Sequence, residues 1–292
     1  MKARPRSYWI GFALTALGAV ILSPDATLFK LIQSDLWTAV FWRALFLSIA
    51  VWAWLILTRR HDLTSEVKRL GWALPAGALC WAISNLGFIF ALKHTTVADT
   101  LAIIATAPIF AAIFGSLVGE RIAIRTWLAA LTIALGIAII FEASFEAKTM
   151  MGALAALATA ISVALFFVIG RLKRDQDLTP ALGLSAGLTA LFAIFMADTL
   201  MPVTADWPNL VFVGLFLLPV SLILITLGPR RLPAAEVGLL MLLETALGPI
   251  WAWTVLGEIP SETTILGGTL IVGALGAHGI AAWKSQNNNI CL

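Results

Sequence analysis

Charge is what this chain has least of. Of its 292 residues only 12% are charged, against roughly 25% in an average soluble domain. Meanwhile 60% are hydrophobic and the mean hydropathy is +0.96. That much apolar surface is stable only in lipid, so the two soluble domains that length alone suggests are excluded. Two cysteines, Cys80 inside an apolar run and Cys291 near the end, supply neither a disulfide framework nor metal-ligand spacing. The three histidines, His61, His94 and His278, are too scattered for a metal site. There is no P-loop, which argues against ATP drive, and no His-Glu-x-x-His, Cys-x-x-Cys or Gly-x-Ser-x-Gly arrangement. The basic residues behind a pI of about 9.1 come in short clusters between apolar runs, so nucleic acid is not indicated. No catalytic set, metal, cofactor or obligate protein partner is expected.

What the chain has instead is long apolar runs. A membrane-crossing helix needs about 20 mainly apolar residues. Ten segments qualify, at about 8–32, 36–57, 71–93, 97–118, 122–141, 149–170, 179–201, 208–228, 233–256 and 261–283. The first follows Lys2, Arg4 and Arg6 as a signal peptide would, but it is too long and lacks a small-x-small cleavage site, so it reads as an uncleaved span. Short linkers make consecutive helices antiparallel neighbours. With the N-terminus in the cytoplasm, fifteen Lys and Arg fall in inside segments and three (Lys30, Lys93, Lys148) outside; Arg43, within the second span, completes the 19. The positive-inside rule therefore predicts ten spans with both termini cytoplasmic.

A repeat organises these spans. Ala98-Asp99 recurs as Ala235-Glu236, 137 residues on, and Gly119-Glu120 recurs as Gly257-Glu258, 138 on. Five spans per half is an odd number, so the halves cross the membrane in opposite directions. The first Gly-Glu turn carries Arg121 and Arg125 and the second carries none, as opposite sides require. Inverted repeats of this kind are a plan of secondary transporters, with the substrate site near the midplane. The expected division is one five-helix repeat over 1–146, a second, inverted one over 147–284, and a polar tail over 285–292.

Several short strings occur in a telling order: Phe41-Trp42-Arg43, Ala91-Leu92-Lys93-His94-Thr95, Ala107-Pro108 and Gly119-Glu120. In the second half come Leu243-Glu244-Thr245, Gly248-Pro249-Ile250-Trp251 and Leu256-Gly257-Glu258-Ile259-Pro260. Over essentially its whole length the chain resembles the drug/metabolite transporter superfamily, specifically the EamA-type ten-helix exporters. Ser23-Pro24-Asp25 and the Glu-Thr/Gly-Pro-x-Trp stretch look closest to the family's aromatic amino-acid exporter branch. The resemblance implies an all-α bundle of two five-helix repeats around a central cavity, alternating access, and export of small amphipathic metabolites; amino acids or similar metabolites, aromatic or other large apolar ones preferred, are the expected substrates, moved across a bacterial inner membrane. Where the family commonly has Glu-Pro in the second repeat, this chain has Glu244-Thr245, with Pro249 one turn later.

Ionisable residues inside a membrane need a reason. Glu244 lies 11 residues from Pro233, about 16 Å deep at 1.5 Å per residue. It reads either as a cavity carboxylate that meets a substrate ammonium or a proton, or as an acid that locks helix packing. Asp25 and Arg43 each lie seven residues from the outer ends of neighbouring spans, so an ion pair is feasible, structural or in contact with substrate. Trp81, Ser84, Asn85 and Phe88 share one helix face at mid-depth. That face reads as an aromatic platform with an amide to fix a polar end, or as packing. Thr106 falls on a face with Asp99, Ile103 and Phe110, and Trp251 lies two turns after Glu244 on the same helix. Pro108 and Pro249 are read as lying within helices, either as hinges or as static kinks. Asp99 and Glu236 suit the first turns of their helices. The candidate substrate-binding set is Trp81, Ser84, Asn85, Thr106, Glu244 and Trp251. A membrane-embedded enzyme would need converging His/Asp or Ser/His sets, and a channel a continuous polar stripe; neither is present.

Overall fold

The computed structural model describes residues 6–59, 63–119 and 147–259, and positions 124, 128, 131–132, 135, 262, 265–267, 269–270, 273–274 and 277. Among the described residues there is no strand. Backbone polar groups in lipid must be bonded within the segment, and helices achieve this without a partner. The helices are α1 Arg6–Leu22, α2 Asp25–Lys30, α3 Leu36–Arg59, α4 Leu63–Leu70, α5 Ala73–His94, α6 Val97–Ile104 and α7 Ala107–Leu117. They continue with α8 Ala147–Leu172, α9 Thr179–Met196, α10 Trp207–Phe212, α11 Leu218–Thr226 and α12 Ala234–Trp251. A π-helical turn, Val213–Leu217, joins α10 to α11, and another, Ala252–Leu256, extends α12. These make eight stretches long and apolar enough to cross a membrane. The fifth and tenth expected spans, 122–141 and 261–283, lie for the most part outside the described residues.

Two of the eight stretches are broken. In the first, Pro24 has no N–H for the Val20 carbonyl. Ser23 compensates, donating its backbone N–H at 3.3 Å and its hydroxyl at 2.8 Å to that oxygen. The chain then restarts as α2 with Asp25 in its first turn. In the fourth stretch the break falls at Ala105–Thr106. Pro108 is therefore not inside a helix, as its surroundings in sequence predict, but in the first turn of α7. A proline is harmless there because a first-turn N–H has no intrahelical partner. Pro249, by contrast, is interior to α12, as its surroundings in sequence predict.

Adding about 137 to a residue number carries α1–α2 onto α8, α3 onto α9, α5 onto α10–α11, and α6–α7 onto α12. The packing follows that correspondence. The α1–α11 contact has its counterpart in α5–α8, and α1–α12 in α7–α8. The equivalents α3 and α9 pack on each other, as do α7 and α12. Each half's first stretch thus lies against helices of the other half. The contact of α5 on α8 rests on small residues: Ala153, Ala156, Ala160 and Ala164 form a buried stripe on α8. At Gly87 a Cβ would stand 2.6 Å from the Thr159 hydroxyl oxygen and 2.9 Å from the Ala155 carbonyl oxygen. Small residues let backbones approach where lipid gives no hydrophobic drive for association. Large apolar side chains such as Leu57, Leu117 and Phe195 are exposed, 75% or more, on the outer face, as a lipid environment favours.

The repeated Gly-Glu pair has a backbone cause. Gly119 and Gly257 have φ of 86° and 72°, the left-handed conformation that ends a helix and that glycine adopts without a Cβ penalty. Glu120 lies outside the described residues.

Candidate functional site

A cavity of about 70 Å³ lies at mid-depth among α5, α8, α11, α12 and the two helix breaks. At roughly 10–15 Å³ per water, it has room for several. Its walls are mainly apolar, with Leu22, Leu101, Ile104, Val163, Leu218, Leu222 and Met241 among the lining residues. The polar and aromatic groups in the lining are Asp25, Arg43, Trp81, Ser84, Asn85, Phe88, Thr159, Glu244 and Thr245. An apolar cleft with a few convergent polar groups is the common form of a small-molecule site.

The first helix break supplies Asp25. Its Oδ2 accepts from Arg43 Nη2 of α3 at 2.5 Å, with both side chains 5% exposed or less. The Arg43 guanidinium carbon also lies 5.5 Å from the Phe29 ring centroid and 6.0 Å from that of Phe88. Asp25 Oδ1 and Arg43 Nε and Nη1 are buried and hydrogen-bond no described group. The same holds for the indole Nε1 of Trp81, whose ring packs 4.6 Å, centroid to centroid, from Phe166 of α8. Glu244 of α12 lines the same cavity as Asp25 and Arg43. Beside it, Thr245 Oγ1 donates to the Leu101 carbonyl of α6 at 3.3 Å, and Thr159 Oγ1 donates to the Ser84 carbonyl at 3.2 Å.

Of the six substrate-binding candidates, the structure brings Trp81, Ser84, Asn85 and Glu244 together around one cavity. It does not bring Thr106 or Trp251 there. The Thr106 hydroxyl turns back to the Ile103 carbonyl at 2.7 Å, bonding the broken end of α6. Trp251 is 43% exposed and donates its indole N–H to Ser23 Oγ at 3.0 Å, bracing the other break. Thr159, Val163 and Thr245 also line the cavity, and nothing in a run of Ala, Val and Thr marks the face that meets it. Glu236, in the first turn of α12, and Glu258, of the second Gly-Glu pair, also have partners far away in sequence. Tyr8 donates its hydroxyl to Glu236 at 2.8 Å, and Lys30 meets Glu258 at 2.7 Å.

At the Arg59 end of the bundle a second polar cluster joins the two halves. Arg59 pairs with Glu66 at 3.3 Å and with Asp177 at 2.6 Å, and Arg230 stands 3.7 Å from Asp177. Just before α9, Asp177 Oδ1 also accepts from the Thr179 N–H at 2.9 Å and its hydroxyl at 2.6 Å, a local side-chain turn.

The model of the EamA-like transporter family matches this chain twice, over residues 9–142 and 150–277. The chain belongs to the EamA-like transporter family. The cavity and its acid therefore sit in a multi-pass membrane transporter. One solved crystal structure superposes with a TM-score of 0.73 at 19% identity, covering 96% of this chain and 99% of its own. At that identity the likeness shows a shared fold and nothing of substrate. No curated protein matches the sequence.

Proposed function

We propose that this transporter exports amino acids, aromatic or other large apolar ones, or closely related metabolites, from the bacterial cytoplasm across the inner membrane. One observation carries the reading: the mid-depth cavity is apolar and aromatic, yet holds a lone acid, Glu244, beside the Asp25–Arg43 pair. An amino acid is zwitterionic at one end and apolar at the other. Such a cavity offers each part a fitting surface, while a uniformly apolar solute leaves buried charge without use.

The accompanying topology is ten spans in two inverted repeats, 1–146 and 147–284, with both termini cytoplasmic. Its support is the distribution of Lys and Arg and the pairing of equivalent helices across the halves. Transport then proceeds by alternating access, one half rocking against the other around the cavity. The break before Pro108 and the interior proline Pro249 are the natural places to bend.

The test is counterflow of labelled L-phenylalanine and L-leucine in proteoliposomes holding the purified chain. Both, or one, should accumulate against preloaded unlabelled substrate. Glu244→Gln should lower the rate about 10-fold or more while leaving the melting temperature in detergent unchanged. Movement of neither amino acid defeats the substrate reading; full activity in Glu244→Gln removes the acid from the mechanism.

A further inference from the structure

We infer that Arg43 is the carboxylate receptor of the cavity, held by Asp25 at one nitrogen and offering its other N–H groups, with the Trp81 indole N–H, to the α-carboxylate of the substrate. The inference rests on the amino-acid reading above and specifies which end of the substrate meets which residue.

The argument begins from hydrogen-bond supply. A guanidinium has five N–H donors in a planar fork. The Arg43 side chain is 5% exposed and only Nη2 is bonded, to Asp25. Nε and Nη1 hydrogen-bond no described group, and neither does Nε1 of Trp81, a residue 6% exposed. A buried ion pair whose sole purpose is packing needs its remaining donors satisfied, because desolvation otherwise outweighs the attraction. Here three donors on two residues of one cavity are left over. The Phe29 and Phe88 rings, 5.5 and 6.0 Å from the guanidinium carbon, carry no lone pair to accept these N–H groups.

The missing acceptor has a definable chemistry. A carboxylate has two oxygens with about four acceptor positions, enough for three donors, and its planar shape suits the guanidinium fork. Asp25 already neutralises Arg43, so a free acid would import net charge into the low-dielectric interior. An α-amino acid brings its own ammonium, for which Glu244 and the unbonded Asp25 Oδ1 are the acids in the lining. An amine lacking the carboxylate would leave the Arg43 and Trp81 donors buried and unpaired, the situation in which polar sites discriminate most strongly. Asp25 is then a positioning residue, setting the orientation of the guanidinium.

The experiment is competition in the counterflow assay. L-phenylalanine is set against L-phenylalaninamide, which keeps the side chain and the amino group, and against 2-phenylethylamine. The wild type should prefer the amino acid about 10- to 100-fold over either analogue, the span of one or two charge-assisted hydrogen bonds. The double variant Asp25→Asn/Arg43→Gln removes both charges together and should retain its melting temperature while losing that preference. If the double variant does not fold, Arg43→Lys decides. It keeps the charge next to Asp25 but not the fork, and should raise KM for phenylalanine with little change in KM for the amide. Equal competition by amide and amino acid in the wild type, or an undiminished preference in whichever variant folds, overturns the assignment while leaving amino-acid transport standing. Absence of any phenylalanine or leucine transport fails the underlying reading and this inference with it.

Discussion

Asp25 and Arg43 are neighbours only because the first stretch stops at Leu22 and restarts after Pro24. The equal depth of the two residues was legible in the sequence, since each lies seven residues from the same side of the membrane. Their contact was not, because depth leaves the rotation of each helix about its axis undetermined. With the pair 2.5 Å apart and buried, removing either partner strands a charge. Arg43→Gln alone should destabilise the protein by about 3–5 kcal/mol. Adding Asp25→Asn should recover most of that loss in thermal-shift measurements in detergent. A double variant no more stable than the single one would show that the two charges are not energetically coupled.

Elements divide into those whose packing residues announce themselves and those whose breaks do not. The alanine stripe on α8 recurs at helical spacing and meets Gly87 on α5, so this helix pair depends on small side chains. Gly87→Leu should separate α5 from α8. A side chain there has the Thr159 hydroxyl and the Ala155 carbonyl in its path, and overpacking of this type costs about 1–3 kcal/mol. A lowered melting temperature, with Gly273→Leu as control where a Cβ meets open space, checks this. An equal effect at both positions would refute the packing account. Prolines were harder to interpret from sequence. Pro24, Pro108 and Pro249 look alike in an apolar run, yet one lies in a break, one in the first turn of a helix and one in a helix interior. The difference lies with Ser23 and Thr106, whose hydroxyls bond carbonyls at the interrupted helix ends.

Across the whole molecule the first stretch and α12 run side by side in a fixed register. Tyr8–Glu236, Ser23–Trp251 and Lys30–Glu258 are all 228 residues apart, as for two parallel helices of equal rise bonded along their length. The halves are therefore tied at the Lys30 end by Lys30–Glu258 and at the Arg59 end by the Arg59–Asp177–Arg230 cluster. If access alternates, a tie must loosen at the end that opens. In a background with Cys80 and Cys291 replaced by serine, Lys30→Cys with Glu258→Cys should be bridged by a bifunctional methanethiosulfonate long enough to span the ion pair it replaces. The cross-link should cut counterflow about 10-fold or more, and reductant should restore it. Undiminished transport by the cross-linked protein would show that this end stays closed throughout the cycle.

The sequence by itself determined the solvent and the plan. Apolar run length, charge scarcity and the near-137-residue repeat are properties of short windows or of simple offsets, so a membrane bundle built from related halves could be read directly. It also placed Glu244, Trp81, Ser84 and Asn85 at the depth where the cavity lies. The tertiary structure alone decided that Thr106 and Trp251 brace helix breaks and do not line the cavity, that Arg43 retains unbonded donors there, and that Lys30 reaches Glu258. The physical reason is that lipid and protein interior are almost equally apolar. In water a hydrophobic face reveals which way a helix points; in a membrane nearly every face is hydrophobic, and orientation is set by close packing of small residues and a few polar bonds.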